Sequence, residues 1–104
     1  MGRPHVAKLD QPRIRAAALA LVDAEGLEGM SMRRLAAALD VTPASLYFHY
    51  ATKDELLDAV AAEVLADVDT SGFDLGWEAG LRSWTRSLRA ALAAHPRLVS
   101  VISP

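Results

Sequence analysis

The densest chemistry in the chain lies in Thr42-Pro43-Ala44-Ser45-Leu46-Tyr47-Phe48-His49-Tyr50. Two hydroxyls and small side chains fill the first half of this run; one aliphatic, three aromatics and an imidazole fill the second. Thr42 before Pro43 is a helix start, because the proline ring is pre-set for the first helical position. A helix this short cannot bury all five large side chains on one side. Leu46 and Tyr50 are four apart and face inward, as core rather than contact residues. Tyr47, Phe48 and His49 then remain partly outside. Exposed aromatics beside small polar groups suit phosphate oxygens and thymine methyls. The plainer reading of each is a surface tyrosine at 47, partial core packing at 48 and helix-end capping at 49.

Other chemistry finds little support. The chain has no cysteine, hence no disulfide, thiolate nucleophile or thiolate-bound metal. His5, His49 and His95 are too widely spaced to suggest a metal site, and no His-x-x-x-His, Gly-x-Ser-x-Gly, Walker or GxGxxG pattern occurs. The acidic pairs Asp54/Glu55 and Asp67/Asp69 fall at helix ends, where dipole compensation and solvation explain them. The expectation is no enzyme, no cofactor and no metal.

The elements that must hold the 42–50 run are helical. Asp10 is an N-cap with Pro12 in the first turn, and Ile14, Ala18, Leu21 and Val22 repeat on one face. Gly26 should end this helix as a left-handed C-cap. Ser31 caps a short second helix to Leu39, with Leu35, Ala36 and Leu39 inward, and Asp40-Val41 makes a tight connection. Thr52 and Glu55 form a capping box for a fourth helix. Its apolar stripe runs through Leu56, Leu57, Val60, Ala61, Val64, Leu65 and Val68 and needs a covering surface. Asp69-Thr70-Ser71-Gly72 breaks the chain. A fifth helix places Trp77, Leu81, Trp84, Leu88 and Leu92 on one face and stops at His95-Pro96. Residues 97–102 open another apolar segment, and the chain is read as continuing beyond Pro104.

Composition agrees with one small all-α unit. The chain has 104 residues, 52% of them hydrophobic, with only six glycines and five prolines. No apolar run approaches the ~20 residues of a membrane span, and no secretory signal opens the chain, so a soluble cytoplasmic protein is expected. The net charge of −2 argues at first against nucleic acid. Its distribution does not: residues 1–53 carry seven Lys/Arg against five Asp/Glu, and residues 54–104 four against eight. A basic front suits phosphate, although charge alone is equally compatible with ordinary scatter. Arg3, His5 and Lys8 form either a phosphate or minor-groove arm or a disordered basic tail.

Two short helices across a tight turn, braced by a helix on each side, form a helix-turn-helix at about residues 31–50. Residues 9–65 resemble the DNA-binding domain of the TetR family. The matching run includes Leu9, Ala17-Ala18-Leu19, Glu25-Gly26, Gly29-Met30-Ser31-Met32-Arg33-Arg34-Leu35-Ala36 and Leu39-Asp40-Val41. Its most specific part is Leu46-Tyr47-Phe48-His49-Tyr50 followed by Lys53-Asp54-Glu55-Leu56-Leu57. A weaker likeness continues over residues 77–98 to the opening helices of the tetracycline-repressor ligand domain.

The resemblance implies roles. Thr42, Pro43, Ala44, Ser45, Tyr47, Phe48 and His49 fall on the recognition helix. Met32 and Arg33 open the preceding helix, with Arg33 at a base-contacting arginine; a solvated arginine is the alternative. Lys53 matches a lysine that holds phosphate at the head of the fourth helix, whose N-terminus also favours an anion. Arg34 is expected to face solvent. Two departures stand out. Asp40 occupies a turn position usually held by glycine. Trp84 and Leu88 stand where tetracycline repressors carry a drug-contacting asparagine and phenylalanine, which implies a more apolar effector or none within these residues. Trp77, Leu81, Trp84, Leu88 and Ile102 either line that effector's pocket or pack as core.

The expected organisation is a basic arm at 1–9, the helix-turn-helix domain at 10–52, a linking helix at 53–69 and the start of a ligand-binding and dimerisation domain at 70–104. The family implies a ligand-responsive repressor that binds a palindromic operator on double-stranded DNA as a homodimer. Recognition helices would enter successive major grooves about 34–36 Å apart. The fourth helix would act as a lever on effector binding. These residues alone are expected to dimerise weakly or not at all and to bind DNA with modest, salt-sensitive affinity. The other classes left open are a ligand-sensing or protein-interaction module that does not bind DNA, and a helical scaffold without autonomous function.

Overall fold

Capping side chains set the start of each of the first four helices in the computed structural model, which describes residues 9–102. The arm residues Arg3, His5 and Lys8 lie outside that range. Helix α1 (Gln11–Gly29) begins where the Asp10 carboxylate accepts the Arg13 N–H at 2.9 Å, with Pro12 in its first turn. Helix α2 (Met32–Leu39) begins where the Ser31 hydroxyl accepts the Arg34 N–H at 3.1 Å. Helix α3 (Pro43–His49) begins at Thr42, whose hydroxyl accepts the Ser45 N–H at 3.3 Å. Helix α4 (Lys53–Ala66) begins at Thr52, whose hydroxyl accepts the Glu55 N–H at 3.0 Å. The Glu55 carboxylate reaches back one residue further than a capping box requires and accepts the Ala51 N–H at 2.9 Å.

The ends of α1 and α2 differ from each other. Asp40, at the turn position usually held by glycine, adopts φ 57°, ψ 45°, a left-handed conformation that aspartate tolerates at some cost. The Asp40 N–H bonds the Ala37 carbonyl and the Val41 N–H bonds the Ala36 carbonyl at 2.9 Å, which closes α2 as a Schellman turn. Gly26 breaks the first helix at a positive φ, as expected, but not in that left-handed conformation. Its φ 82°, ψ 174° lie in a region open essentially to glycine alone, which kinks the helix and lets one more turn follow to Gly29. That extra turn delivers Met30 into the core, where it is fully buried.

The core joins all four helices. Ile14, Ala18 and Val22 of α1 meet Leu35 and Ala36 of α2, Leu46 of α3, and Leu56, Leu57, Val60 and Val64 of α4. The α4 stripe is buried as expected at Leu56, Leu57, Val60, Ala61, Val64 and Val68, while Leu65 is half-exposed.

After α4, a 3-10 turn (Ser71–Leu75) folds back on helix α5 (Trp77–Ala94). Asp69 fixes the fold-back: its carboxylate accepts the Ser71 N–H at 2.9 Å and the Ser83 hydroxyl at 3.0 Å. A second 3-10 turn (Pro96–Leu98) leads into helix α6 (Val99–Ile102), which packs on α4. Leu98 is buried within the same core as α1–α4. Every regular element among the described residues is helical. None of these helices is long and apolar enough to cross a membrane.

Candidate nucleic-acid interface

Leu46 and Tyr50 anchor α3. Leu46 is fully buried and Tyr50 nearly so. The Tyr50 hydroxyl accepts from Arg15 Nη1 at 3.1 Å, and Arg15 Nε pairs with Glu63 at 2.8 Å. The hydrogen bond to Tyr50 and then that to Glu63 raise the Arg15 pKa further, so α1 ties the end of α3 to α4 through a permanent cation. With two inward residues held, the others on α3 are presented outward. Phe48 is 87% exposed and Tyr47 is 49% exposed. Thr42, Pro43 and Ala44 are exposed, while Ser45 and His49 are half-buried. Phe48 and His49 meet edge to face with ring centroids 5.4 Å apart, and the His49 carbonyl lies 3.5 Å from the Gln11 amide nitrogen. Partial core packing of Phe48 is thereby excluded.

The start of α2 lies beside this surface. Ser31, Met32, Arg33, Pro43 and Tyr47 line one hollow between the two helices, and the Arg33 side chain is exposed there. Met32 requires a correction. Its side chain is 6% exposed and belongs to the core, so it supports this edge instead of offering a contact. Its position, first in α2 and directly after the cap, turns it inward toward Leu35 and Ala36.

Two cations have partners within the protein. Arg34 does not simply face solvent: it grips the Glu25 carboxylate with both terminal nitrogens, Nη2 at 2.6 Å, and donates to the Gly29 carbonyl at 3.2 Å. Lys53 Nζ donates to the Leu27 carbonyl at 2.9 Å. It heads α4 as expected, with one proton committed to the end of α1.

The five residues read either as pocket lining or as core do not close a pocket. Trp77, Leu81 and Trp84 are exposed, and Leu88 and Ile102 are half-buried. The hollow on α5 is an open one, lined by Trp77 and Leu81 with Glu78, Arg82, Thr85, Arg86 and Arg89. Trp84 and Leu88 are not in its lining, and Ile102 lies on α6 against α4. Core packing of Trp77 is excluded too, at 71% exposure. Among the described residues no three His, Asp or Glu side chains come together to hold a metal.

Residues 14–60 match the bacterial regulatory proteins of the tetR family, a span that runs from the first core residue of α1 into α4 and includes both helices of the helix-turn-helix. The chain belongs to the TetR family. Among its TetR-family relatives, the transcriptional repressor DrrR1 of Streptomyces coeruleorubidus is 41% identical over 91 residues, 86% of this chain and 34% of that protein. Two solved TetR-fold structures align closely. ActR of Streptomyces coelicolor in its apo form superimposes with a TM-score of 0.87 at 42% identity, over 96% of this chain and 49% of that one. ActR has also been solved with actinorhodin. BioQ with its natural double-stranded DNA operator gives a TM-score of 0.79 at 42% identity, over 92% of this chain and 58% of that one. The chain thus spans about a third to somewhat over half the length of these relatives.

Proposed function

We propose that this chain is the DNA-reading end of a ligand-responsive transcriptional repressor that binds a palindromic operator as a homodimer. The observation that carries this reading is the outward pair Tyr47 and Phe48 on a short helix fixed from behind by Leu46 and Tyr50. An aromatic so exposed on a rigid helix gains nothing for the fold; against DNA it gains a phosphate or a thymine methyl. Arg33, Thr42, Pro43, Ala44, Ser45 and His49 complete the contact surface, and Lys53 keeps two protons for a phosphate beside the α4 N-terminus. BioQ, solved with its operator, supports a DNA target.

Residues 10–52 read DNA in this account, residues 53–69 link, and residues 70–104 begin a regulatory part. ActR, solved with actinorhodin, supports a small-molecule effector. The exposed Trp77, Leu81 and Trp84 favour an apolar one, received between α5 and further structure. Two recognition helices about 34–36 Å apart would match successive major grooves of a two-fold site.

The test is selection from a randomised duplex pool with the intact gene product and with Tyr47→Ala and Arg33→Ala. Enrichment of a palindrome by the wild type, lost in both variants, is expected. No enrichment from a protein that is helical by circular dichroism would refute DNA reading and leave a ligand-sensing or interaction module.

A further inference from the structure

The last turns of α1 gather cations from three different elements. An α-helix leaves its final carbonyls without partners. Here the kink at Gly26 turns several of them outward, and each is met by a separate side chain. Arg97, from the Pro96–Leu98 turn, donates to the Ala24 carbonyl at 2.6 Å. Lys53, at the head of α4, donates to the Leu27 carbonyl at 2.9 Å. Arg34, on α2, donates to the Gly29 carbonyl at 3.2 Å while gripping Glu25. Positive charge at a helix C-terminus is favourable in its own right.

The regulatory side of this junction is held at two further points. His95 Nδ1 lies 2.8 Å from the Asp23 carboxylate, and Leu98 is buried in the core of the DNA-binding helices. Gly26 itself faces Arg97, whose Cδ would be 3.9 Å from an added Cβ. Residues 95–98 therefore bear on the end of α1 through a histidine–carboxylate hydrogen bond, a carbonyl cap and a buried leucine. The same end of α1 holds the helix before the recognition helix and the helix after it.

We propose that the Gly26 kink is a junction that couples residues 95–98 to the helix-turn-helix, with Arg97 as its positioning residue. A shift of residues 95–98 pulls on Ala24, and the kink passes it through Leu27 to Lys53 and through Glu25 and Gly29 to Arg34. Both flanks of α3 move together because both are tied to one short segment. This route runs through α1 and is distinct from the lever action of α4. An effector would use it only by binding two positions of residues 95–98 unequally. The DNA side of the proposal rests on the function proposed above; the coupling within the fold does not.

The test compares wild type, Arg97→Ala and Arg97→Lys in the full chain, with Asp74→Ala as a control in the exposed Ser71–Leu75 turn. Amide hydrogen exchange is followed at residues 27–35 and 53–56 without DNA, and affinity is measured for the duplex enriched by the wild type. Arg97→Ala should accelerate exchange at both segments and weaken DNA binding by roughly three- to tenfold, a typical coupling magnitude. Arg97→Lys should restore most of both, and Asp74→Ala should change neither. An urea midpoint for Arg97→Ala measured alongside separates coupling from global destabilisation, since global loss would raise exchange across α1–α4 uniformly. Exchange unchanged at 27–35 and 53–56, or uniformly raised, would overturn the junction. If the wild type enriched no duplex, DNA reading would fail while the exchange result still decided the junction.

Discussion

The ammonium of Lys53 donates to the backbone carbonyl of Leu27 over 2.9 Å, joining the first residue of α4 to the last turn of α1 across 26 positions of sequence. A lysine at the head of a helix faces an unfavourable dipole end unless something negative meets it. The Leu27 carbonyl meets that need from inside the protein. Lys53→Met should cost about 1 kcal/mol of stability, the scale of one hydrogen bond to a charged group at a partly exposed site. Urea unfolding of Lys53→Met and Lys53→Arg measures it, with Arg expected to recover most of the loss.

Leu46 and Phe48 should separate folding from binding. Leu46 is fully buried and Phe48 is 87% exposed, two positions apart on the same helix. Leu46→Ala should destabilise by about 2–5 kcal/mol. Phe48→Ala should stay within about 0.5 kcal/mol of wild type, yet reduce retention of the enriched duplex. Denaturation and gel retardation on the two variants check this.

Asp40 holds a left-handed backbone, φ 57°, at a cost that glycine avoids. Asp40→Gly should therefore raise stability by about 1 kcal/mol, and Asp40→Val should lower it. The midpoints of thermal unfolding give the sign directly.

The turn before α5 depends on Gly80. A Cβ added there would lie 2.1 Å from the Phe73 ring and 2.7 Å from the Phe73 Cα, so ring rotation alone cannot relieve the clash. Gly80→Ala should lift the Ser71–Leu75 turn off α5 at about 1–3 kcal/mol. Faster amide exchange at residues 71–75, with α1–α3 unchanged, is the expected result.

Asp69 gives the same turn an acid limit. The Ser71 hydroxyl, the Ser71 N–H and the Ser83 hydroxyl stabilise its carboxylate and hold its pKa below the usual aspartate value. The folded pKa lies below the unfolded one, so the contribution is present above the unfolded value near 4 and lost as pH falls through the folded value. Trp77 and Trp84 report on α5 by fluorescence. Their acid transition should move to higher pH in Ser83→Ala and lose this component in Asp69→Asn.

Much of this was readable from local chemistry. Asp10, Ser31, Thr42 and Thr52 cap helices because a short oxygen-bearing side chain before an apolar repeat has few other uses. The outward Tyr47 and Phe48 followed from too many large residues on too short a helix. What escaped was tertiary. Nothing local marks Arg34 as the partner of Glu25, Lys53 of Leu27, or Arg97 of Ala24, since each pairing depends on where the Gly26 kink points the end of α1. Gly26 was legible as a break but not as this conformation, because only the burial of Met30 requires the extra turn. Met32 was assigned to the contact surface by the resemblance, and one step of about 100° around α2 from the exposed Arg33 turns it inward. The open face of Trp77, Leu81 and Trp84 could not be separated from core by periodicity, which is the same for both.

The most direct test of DNA reading by α3 is amide chemical-shift mapping of the chain on addition of the enriched duplex. The largest shifts are expected at Arg33, at residues 42–49 and at Lys53, with little change along α5. Shifts concentrated on α5, with residues 42–49 unmoved at saturating duplex, would contradict it.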